Sequence, residues 1–248
     1  MIYIKSDSEI DAMRHAGRIV GETLAMLEEV VKPQITTADL DKIAEEYIIK
    51  AGAKPSFKGL YGFPASLCVS VNEEVVHGIP GSRILQEGDI VSVDCGAYYE
   101  GFHGDATRTF PVGKISSEAQ RLIDVTRESF FEGVKCACVG NRIGDIGNAV
   151  QTYVEKNGFS VVKDYVGHGI GRKMHEEPSV PNYGKKNRGP KLVKGMAIAI
   201  EPMVNAGDYR VKELNNGWTV VTLDGKPSAH YENTLVILDN GPEILTLI

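Results

Sequence analysis

The amino-acid sequence predicts an α+β fold built as one domain from two similar halves, about residues 1–115 and 116–248. Two amphipathic helix patterns precede a run of strand patterns, and this order occurs twice along the chain. Residues 88–94 and 195–201 each comprise a glycine, a short apolar strand and a carboxylate six positions after the glycine. No low-complexity linker separates the halves, so we expect them to share a sheet.

Helix signals open each half. Ser6 and Glu9 have the spacing of a capping box, and apolar residues then recur every three or four positions until Pro33. A second helix is predicted from about position 36 to Gly52, where a residue without Cβ suits a left-handed cap. The second half carries helix patterns over residues 117–139 and 142–157.

Strand patterns follow each helix pair as short apolar runs bounded by turn residues. The predicted strands are residues 67–71, 90–94, 107–112, 161–166, 196–201, 218–223 and 230–238. Asp94 and Glu201 close two of these strands, and the pseudo-symmetry of the halves predicts that the two acids converge.

Composition limits the classes of function. The chain has 248 residues, 42% of them hydrophobic, and its net charge of −6 comes from interspersed acids and bases. A nucleic-acid partner is therefore not expected. Four cysteines without paired spacing, and no signal peptide or apolar run of membrane length, predict a cytoplasmic protein that does not bind membranes.

The strand-end acids predict a metal site. A desolvated carboxylate needs a positive partner, and two converging carboxylates repel each other unless a cation bridges them. For either acid alone, an ion pair or a capped turn is the alternative. Asp105 lies on the strand that should return beside Asp94 through a hairpin at residues 96–101, so three acids point to one centre.

Two histidines follow in the second half. His168 lies in Gly167-His-Gly-Ile-Gly171, where glycines free the backbone to bring an imidazole close to another group. The alternative of a phosphate-binding loop is disfavoured, because the lysine and hydroxyl residue of a P-loop are missing. Taken alone, His175 could be a ligand, a substrate contact or an ordinary loop residue.

Several motifs together make the chain resemble the type I methionine aminopeptidases of bacteria, in the short form without an N-terminal extension. They are Val75-Val-His77-Gly-Ile-Pro80, Val91-Ser-Val-Asp94, Gly101-Phe-His-Gly-Asp105, Gly167-His-Gly-Ile-Gly171, Met174-His-Glu-Glu-Pro178, Ile198-Ala-Ile-Glu201-Pro202 and Ala229-His-Tyr-Glu232-Asn-Thr234. The resemblance spans nearly the whole chain. It implies the pita-bread fold, with pseudo-twofold halves sharing a curved antiparallel sheet and helices on its outer face.

The resemblance also implies two divalent metal ions, Mn, Fe or Co. Asp105 and Glu232 would bridge both ions, His168 and Glu201 would complete the shell of one, and Asp94 would mainly serve the other. Four carboxylates balance the charge of two divalent ions, and a neutral imidazole adds affinity without adding charge.

The implied reaction is removal of the N-terminal methionine when the second residue is small. A hydroxide bridging the two ions would attack the scissile carbonyl, and Glu201 would shuttle the proton toward the leaving amine. His77 and His175 would flank the peptide. For His77 taken alone, a buried histidine bonded to backbone is the better interpretation, and the resemblance reverses it.

An apolar pocket for methionine is implied at Phe63, Cys68, Met174 and Trp218. Leu60 and Met174 occupy positions that are often aromatic in the better-known bacterial members, which leaves the shape of the pocket open. For Trp218, the single tryptophan, plain core packing is the alternative.

Other members of the fold are disfavoured on chain length. Only 93 residues precede Asp94, whereas prolidase and aminopeptidase P usually carry a large N-terminal domain there. Only 25 residues separate His175 from Glu201, so the long helical insertion of type II methionine aminopeptidases is absent. A non-catalytic peptide-binding relative is the rival of another class. The expected partners are the N-termini of nascent polypeptides, and the enzyme is expected to be a monomer. Transient association with the ribosome is left open.

Overall fold

The computed structural model describes residues 1–248 and contains two helices in each half of the chain. They are α1 (Asp7–Val30), α2 (Thr37–Lys50), α3 (Ser117–Val134) and α4 (Ile143–Lys156). None of the helices combines the length and the apolar character that a membrane span requires.

The predicted ends of the first two helices are confirmed. Ser6 caps α1, and its hydroxyl and the Glu9 carboxylate exchange hydrogen bonds with each other's backbone N–H. Thr36 and Asp39 form the same box at α2. Gly52, two residues after the last residue of α2, has φ +82°, a backbone conformation that residues with a Cβ rarely adopt.

The third helix ends earlier than predicted, at Val134 rather than at position 139. No glycine or proline stops it there. The chain instead turns at Lys135, and the N–H of Gly140 donates to the Leu192 carbonyl. This pairing joins residues distant in sequence, so no local pattern could indicate it.

Five strands belong to the first half. They are β1 (Lys54–Pro55), β2 (Leu67–Val71), β3 (Glu74–Val76), β4 (Ile90–Tyr99) and β5 (Phe102–Pro111). The predicted hairpin is confirmed, with β4 and β5 paired antiparallel along their full length. Glu100 and Gly101 form its two-residue turn, both with positive φ, as tight hairpins require.

Asp94 therefore lies inside β4 and not at a strand end, which corrects the expectation from the sequence. The strand continues because Gly96 and Ala97 pair with Asp105 and Gly104. Only Glu201 directly follows the last residue of its strand. Gly88 and Gly195 nevertheless have φ +95° and +80°, so the chain enters β4 and the equivalent strand in a similar conformation.

Ten short strands belong to the second half. They are β6 (Ser160–Val161), β7 (Gly167–Gly169), β8 (Glu176–Val180), β9 (Ala197–Ile200), β10 (Met203–Asn205), β11 (Val211–Glu213), β12 (Val220–Thr222), β13 (Ser228–His230), β14 (Asn233–Leu238) and β15 (Gly241–Ile244). The predicted strand 161–166 was wrong beyond Val161, and the predicted strand 230–238 is interrupted at Tyr231 and Glu232. Seven strands were not predicted, which are β1, β3, β7, β8, β10, β11 and β15.

All strand pairings are antiparallel, as expected, but the hydrogen bonds form four small sheets. The orders are β1-β4-β2 with β5 on β4, β13-β10-β6, β11-β12-β3 and β15-β14-β9-β7-β8. The halves meet where Thr107 and Glu232 exchange two backbone hydrogen bonds, of 3.3 and 3.0 Å. Thr234 adds side-chain bonds to both backbone groups of Asp105. Two predicted ligands thus lie at this junction.

The helices cover the sheets. Helix α1 lies against β4 and β5 so closely that a Cβ on Gly104 would be 2.9 Å from the backbone nitrogen of Gly17. Fully buried side chains such as Leu40 and Val91 fill the layer between helices and sheet. A second apolar layer, around Phe130 and Ile146, packs α3 and α4 against strands of the second half such as β8 and β9.

Candidate metal centre

One cavity of about 290 Å³ opens between the halves. Ten of the eleven predicted site residues line it: Phe63, Cys68, His77, Asp94, Asp105, His168, His175, Glu201, Trp218 and Glu232. The eleventh, Met174, does not. Both halves therefore contribute to one concave site with acids at one end and apolar side chains around it.

Asp94 and Asp105 are placed by the β4–β5 hairpin. Asp94 lies opposite Thr107 and Asp105 opposite Gly96, so the two acids are diagonal neighbours on the same face. Gly96 lies on this same face and permits close packing there, since a Cβ at this position would be 2.8 Å from Ser56 Cβ and 2.9 Å from Phe57 Cε1. The hairpin brings the two carboxylates together without any special loop.

His168 is the central residue of β7, and its flanking glycines have a packing reason. A Cβ on Gly167 would lie 2.4 Å from the Ala199 carbonyl oxygen, and one on Gly169 would lie 2.2 Å from that of Glu177. Only glycines let β7 fit between β8 and β9. The glycines predicted a close approach, and at Gly167 and Gly169 it is the approach of backbone to backbone.

The Nε2 atom of the His168 imidazole faces the acids as an electron-pair donor. Its Nδ1 lies 2.8 Å from the Gly169 carbonyl, which can only accept, so Nδ1 carries the proton when the ring is neutral. Its Nε2 then presents a lone pair, 3.6 Å from Asp105 Oδ2 and 3.6 Å from Glu201 Oε1. Lone pair facing carboxylate is repulsive, and a cation between these atoms removes the repulsion.

The other two acids close the cluster. Glu232 lies between β13 and β14 and accepts a hydrogen bond of 2.9 Å from the Thr107 hydroxyl. Glu201 follows β9, and its second oxygen lies 3.6 Å from His230 Nε2. Ligand atoms within 4.8 Å of one another form two overlapping groups, which are Asp105–His168–Glu232 and Glu201–His230–Glu232.

The carboxylates have no protein cation to neutralise them. None of the four pairs with a lysine or arginine, so the ion-pair alternative does not hold for this site. Three carboxylate oxygens are buried without a hydrogen-bond partner, on Asp94, Asp105 and Glu232. Buried polar atoms are rarely left unpaired in folded proteins. These orphaned oxygens and the facing imidazole fit divalent cations.

The electrostatics agree with that fit. Burial raises the pKa of Asp94 to about 6 and that of Glu201 to about 7. Burial, followed by repulsion from the neighbouring acids, raises the pKa of Asp105 and of Glu232 well above the usual range. Without a cation the site can hold its carboxyl groups only by protonating some of them.

His77 and His175 lie on the wall of the same cavity. His77 has φ +59°, and its ring meets Tyr165 edge to face at 5.6 Å. The His175 ring stacks on Tyr61 at 5.8 Å and meets His168 at 4.6 Å. Burial lowers the pKa of both histidines to about 4, so at neutral pH each is a neutral donor and acceptor.

The apolar wall is made by Phe63, Cys68 and Trp218. The rings of Phe63 and Trp218 are 5.0 Å apart, edge to face, so the tryptophan faces the cavity and is not only core packing. Met174 differs from expectation: it is 2% exposed and packs in the apolar cluster behind Phe57 and Phe63. Its side chain can support the wall but does not line it.

Tyr61 lines the cavity and was not predicted from the sequence. It is 75% exposed, has φ +52° and stands between Gly59 and Gly62 over the cavity, where it stacks on His175. An aromatic residue held between two glycines was the available signal. His103, by contrast, lies outside the cavity with its Nδ1 2.8 Å from the Ser56 hydroxyl.

Residues 11–239 match the sequence model of metallopeptidase family M24. The chain belongs to this family. Within family M24, it is 67% identical to a methionine aminopeptidase of Clostridium perfringens over 100% of both chains. It is 54% identical to methionine aminopeptidase 1 of Bacillus subtilis, again over 100% of both. The chain is therefore an M24 hydrolase of the methionine aminopeptidase group.

Solved structures support the same assignment within family M24. The crystal structure of methionine aminopeptidase from Thermotoga maritima has a TM-score of 0.99, with 47% identity and 100% coverage of both chains. The pita-bread fold implied by the resemblance is thereby confirmed. Prolidase from Pyrococcus furiosus shares the fold, with a TM-score of 0.80, 23% identity and 65% of that chain covered.

Proposed function

We propose that this M24 hydrolase removes the N-terminal methionine from peptides and nascent proteins whose second residue is small. The observation that carries the proposal is one cavity in which two buried carboxylates, two half-buried carboxylates and His168 adjoin an apolar wall. The names of the relatives support the reaction and the substrate. Because both halves supply side chains to the cavity, we propose that the chain works as one catalytic domain.

Asp94, Asp105, His168, Glu201 and Glu232 would hold two divalent ions, with Mn, Fe or Co as the candidates. Their oxygen-rich set with one imidazole suits these ions better than a thiolate-binding metal. When bound, such ions supply a water molecule acidified at neutral pH and Lewis-acid activation of the scissile carbonyl. The unpartnered oxygens of Asp94, Asp105 and Glu232 support their role as ligands.

Glu201 is proposed to move the proton. Its carboxylate lies between two imidazoles, with 3.6 Å from each oxygen to the nearer Nε2, and burial raises its pKa to about 7. A carboxyl group whose pKa is close to the working pH can accept a proton from water and deliver it to the leaving amine. The position directly after β9 keeps this carboxylate at the edge of the cavity.

His77 and His175 are proposed to orient the peptide. Both rings are neutral at pH 7 and face the cavity, so each can donate a hydrogen bond to a peptide oxygen. A donor that strengthens its bond as negative charge develops on the carbonyl oxygen stabilises the transition state more than the bound substrate.

The decisive experiment is methionine release from the peptide Met-Ala-Ser with Mn²⁺ or Co²⁺ added. We expect release that EDTA abolishes and that added metal restores. Asp105→Asn is the matched control, since it removes one ligand charge with almost no change in shape. A wild-type protein that binds the peptide but releases no methionine with any divalent metal would establish the rival, a non-catalytic binding protein.

Phe63→Ala is expected to raise KM for Met-Ala-Ser about tenfold or more while changing kcat less. The substitution removes the ring that meets Trp218 and deletes part of the apolar wall, and a lost ring contact of about 1.5–3 kcal/mol corresponds to roughly 10- to 100-fold in affinity. Steady-state kinetics test it, with Phe131→Ala on α3, outside the cavity, as control. An unchanged KM would remove Phe63 from the proposed methionine pocket.

The proposed partners are the N-termini of nascent chains. Because such chains emerge where translation takes place, the cytoplasm is the proposed location. A monomer is proposed because the cavity and its acids are complete within one chain.

A further inference from the structure

Outside the metal centre, one ion pair stands apart from the others by its burial. Lys5 Nζ lies 2.6 Å from Glu176 Oε2, and the two side chains are only 4% and 5% exposed. The other lysine and arginine salt bridges have at least one partner that is 27% exposed or more, such as Lys194–Asp239 at 56% and 65%.

Burial of such a pair needs a reason other than stability. Removing two charges from water costs about as much free energy as their attraction returns, whereas a buried pair can hold groups in one geometry. The remaining polar atoms of the pair are also used. Lys5 Nζ donates to the Tyr3 carbonyl at 3.2 Å, and Glu176 Oε1 accepts the backbone N–H of Lys173 at 3.2 Å.

Glu176 directly follows His175, one of the two histidines proposed to orient the peptide. The bond from Lys173 N–H to Glu176 closes the turn that carries the imidazole. Besides its ring contacts with Tyr61 and His168, the imidazole has one long side-chain hydrogen bond, 3.5 Å from its Nδ1 to the Tyr61 hydroxyl. Because no short side-chain hydrogen bond holds the imidazole, its position depends on the backbone of this turn.

Lys5 connects that turn to the strand that leads to Glu201. Its backbone N–H donates to the Gly195 carbonyl at 2.7 Å, just before β9. Its side chain runs directly over Gly171, where a Cβ would be 2.4 Å from Lys5 Cε. One residue near the N-terminus thus contacts both segments that carry proposed reacting groups.

We propose that Lys5 is a positioning residue for the reaction: its ion pair with Glu176 holds the His175 imidazole at the cavity beside His168. The inference rests on the proposed function, because it assigns the position of a side chain proposed to act there. Lys5 does not line the cavity and acts through Glu176 and the 173–176 turn.

The test is the kinetics of metal-saturated variants on Met-Ala-Ser. Lys5→Met is expected to lower kcat about 10- to 100-fold with KM within about threefold, since a displacement near 1 Å can cost about 100-fold. Lys5→Arg, which keeps the charge, is expected to stay within about threefold of wild type. Lys194→Met breaks an exposed pair and is the matched control with unchanged kcat. A Lys5→Met enzyme with wild-type kcat would overturn the proposal.

A variant that carries no charge at either position distinguishes a positioning role of the ion pair from a role in folding alone. The double variant Lys5→Met/Glu176→Met leaves no unpaired buried charge, so its melting temperature is expected to recover relative to Lys5→Met. Its kcat is expected to stay at least about tenfold below wild type, because the bonds to Tyr3 and Lys173 are still missing. Recovery of kcat together with the melting temperature would show a purely structural role and overturn the proposal.

A double-mutant cycle identifies the residue through which Lys5 acts. In a His175→Ala background, Lys5→Met is expected to change kcat less than twofold, because the side chain it positions is gone. If Lys5→Met and His175→Ala instead lowered kcat by independent factors that multiply in the double variant, the inference would be overturned and the proposed function would remain intact. If His175→Ala alone had wild-type kcat, the proposed role of His175 would fail instead, so the two failures are distinguishable.

Discussion

Glu201→Gln is expected to lower kcat for methionine release by about 10³-fold or more, the largest effect of any single substitution in this chain. The change removes a proposed ligand charge and the proposed proton carrier together, and general acid–base catalysis alone contributes roughly 10²- to 10⁴-fold. The amide keeps the size of the side chain between His168 and His230, so the fold should survive. Steady-state kinetics at saturating Mn²⁺ measure the loss.

Two further measurements interpret that result. Metal content determined on the same Glu201→Gln sample separates loss of an ion from loss of proton transfer. Glu213→Gln, on the exposed strand β11, is the matched control and should leave kcat unchanged. A Glu201→Gln enzyme within tenfold of wild type would mean that another group carries the proton.

The second large effect is on stability. We expect the metal-free protein to lose about 2–4 kcal/mol of unfolding free energy between pH 6.5 and 8, and bound Mn²⁺ to abolish most of that loss. The reason is that Asp105, Glu232 and Glu201 are held partly protonated in the metal-free site, since burial and mutual repulsion raise the pKa of each above its ordinary value.

The direction follows from proton linkage. A carboxyl group whose pKa is raised in the folded state contributes stability below its unfolded pKa, near 4, and loses it as the pH rises through the folded pKa. Each carboxyl group that stays protonated in the folded state lowers the free energy of unfolding by about 1.4 kcal/mol for every unit by which the pH rises. Histidines such as His77 and His175, with pKa lowered to about 4, lose stability only as the pH falls below about 6.5. Between pH 6.5 and 8, therefore, the expected loss comes from the carboxyl groups and not from these histidines.

Urea unfolding at fixed ionic strength, with EDTA or with Mn²⁺, tests the expectation. Glu232→Gln is the internal control, because it removes one repelling acid and should flatten the dependence on pH in EDTA. A metal-free wild type equally stable at pH 6.5 and 8 would contradict the picture of strained, cation-seeking carboxyl groups.

Local signals in the sequence determined much of the fold. The capping boxes at Ser6 and Thr36 and the apolar spacing behind them predicted α1 and α2 to within a residue or two. The hairpin around Asp94 and Asp105 was predicted by two apolar runs and a glycine turn. These features depend on neighbours in sequence, which is why a single chain reveals them.

The sequence also named the acids of the site and, through the similarity of the two halves, predicted that they converge, but it did not give the distances between them. Asp94 or Glu201, taken alone, could have been an ion pair or a turn residue until motifs over nearly the whole chain indicated a family. The distance between Glu201 and His168 depends on where β9 and β7 come to lie, and no local rule states that.

Only the tertiary structure decided β7 and β8, the inward turn of Met174, the place of Tyr61 over the cavity and the pairing of Lys5 with Glu176. A three-residue strand such as Gly167–Gly169 has no apolar periodicity, and it forms because the backbones of β8 and β9 leave a gap that only glycine fits. Lys5 and Glu176 are 171 positions apart. Their contact comes from packing between distant segments, whereas the helices and the hairpin come from interactions between neighbours.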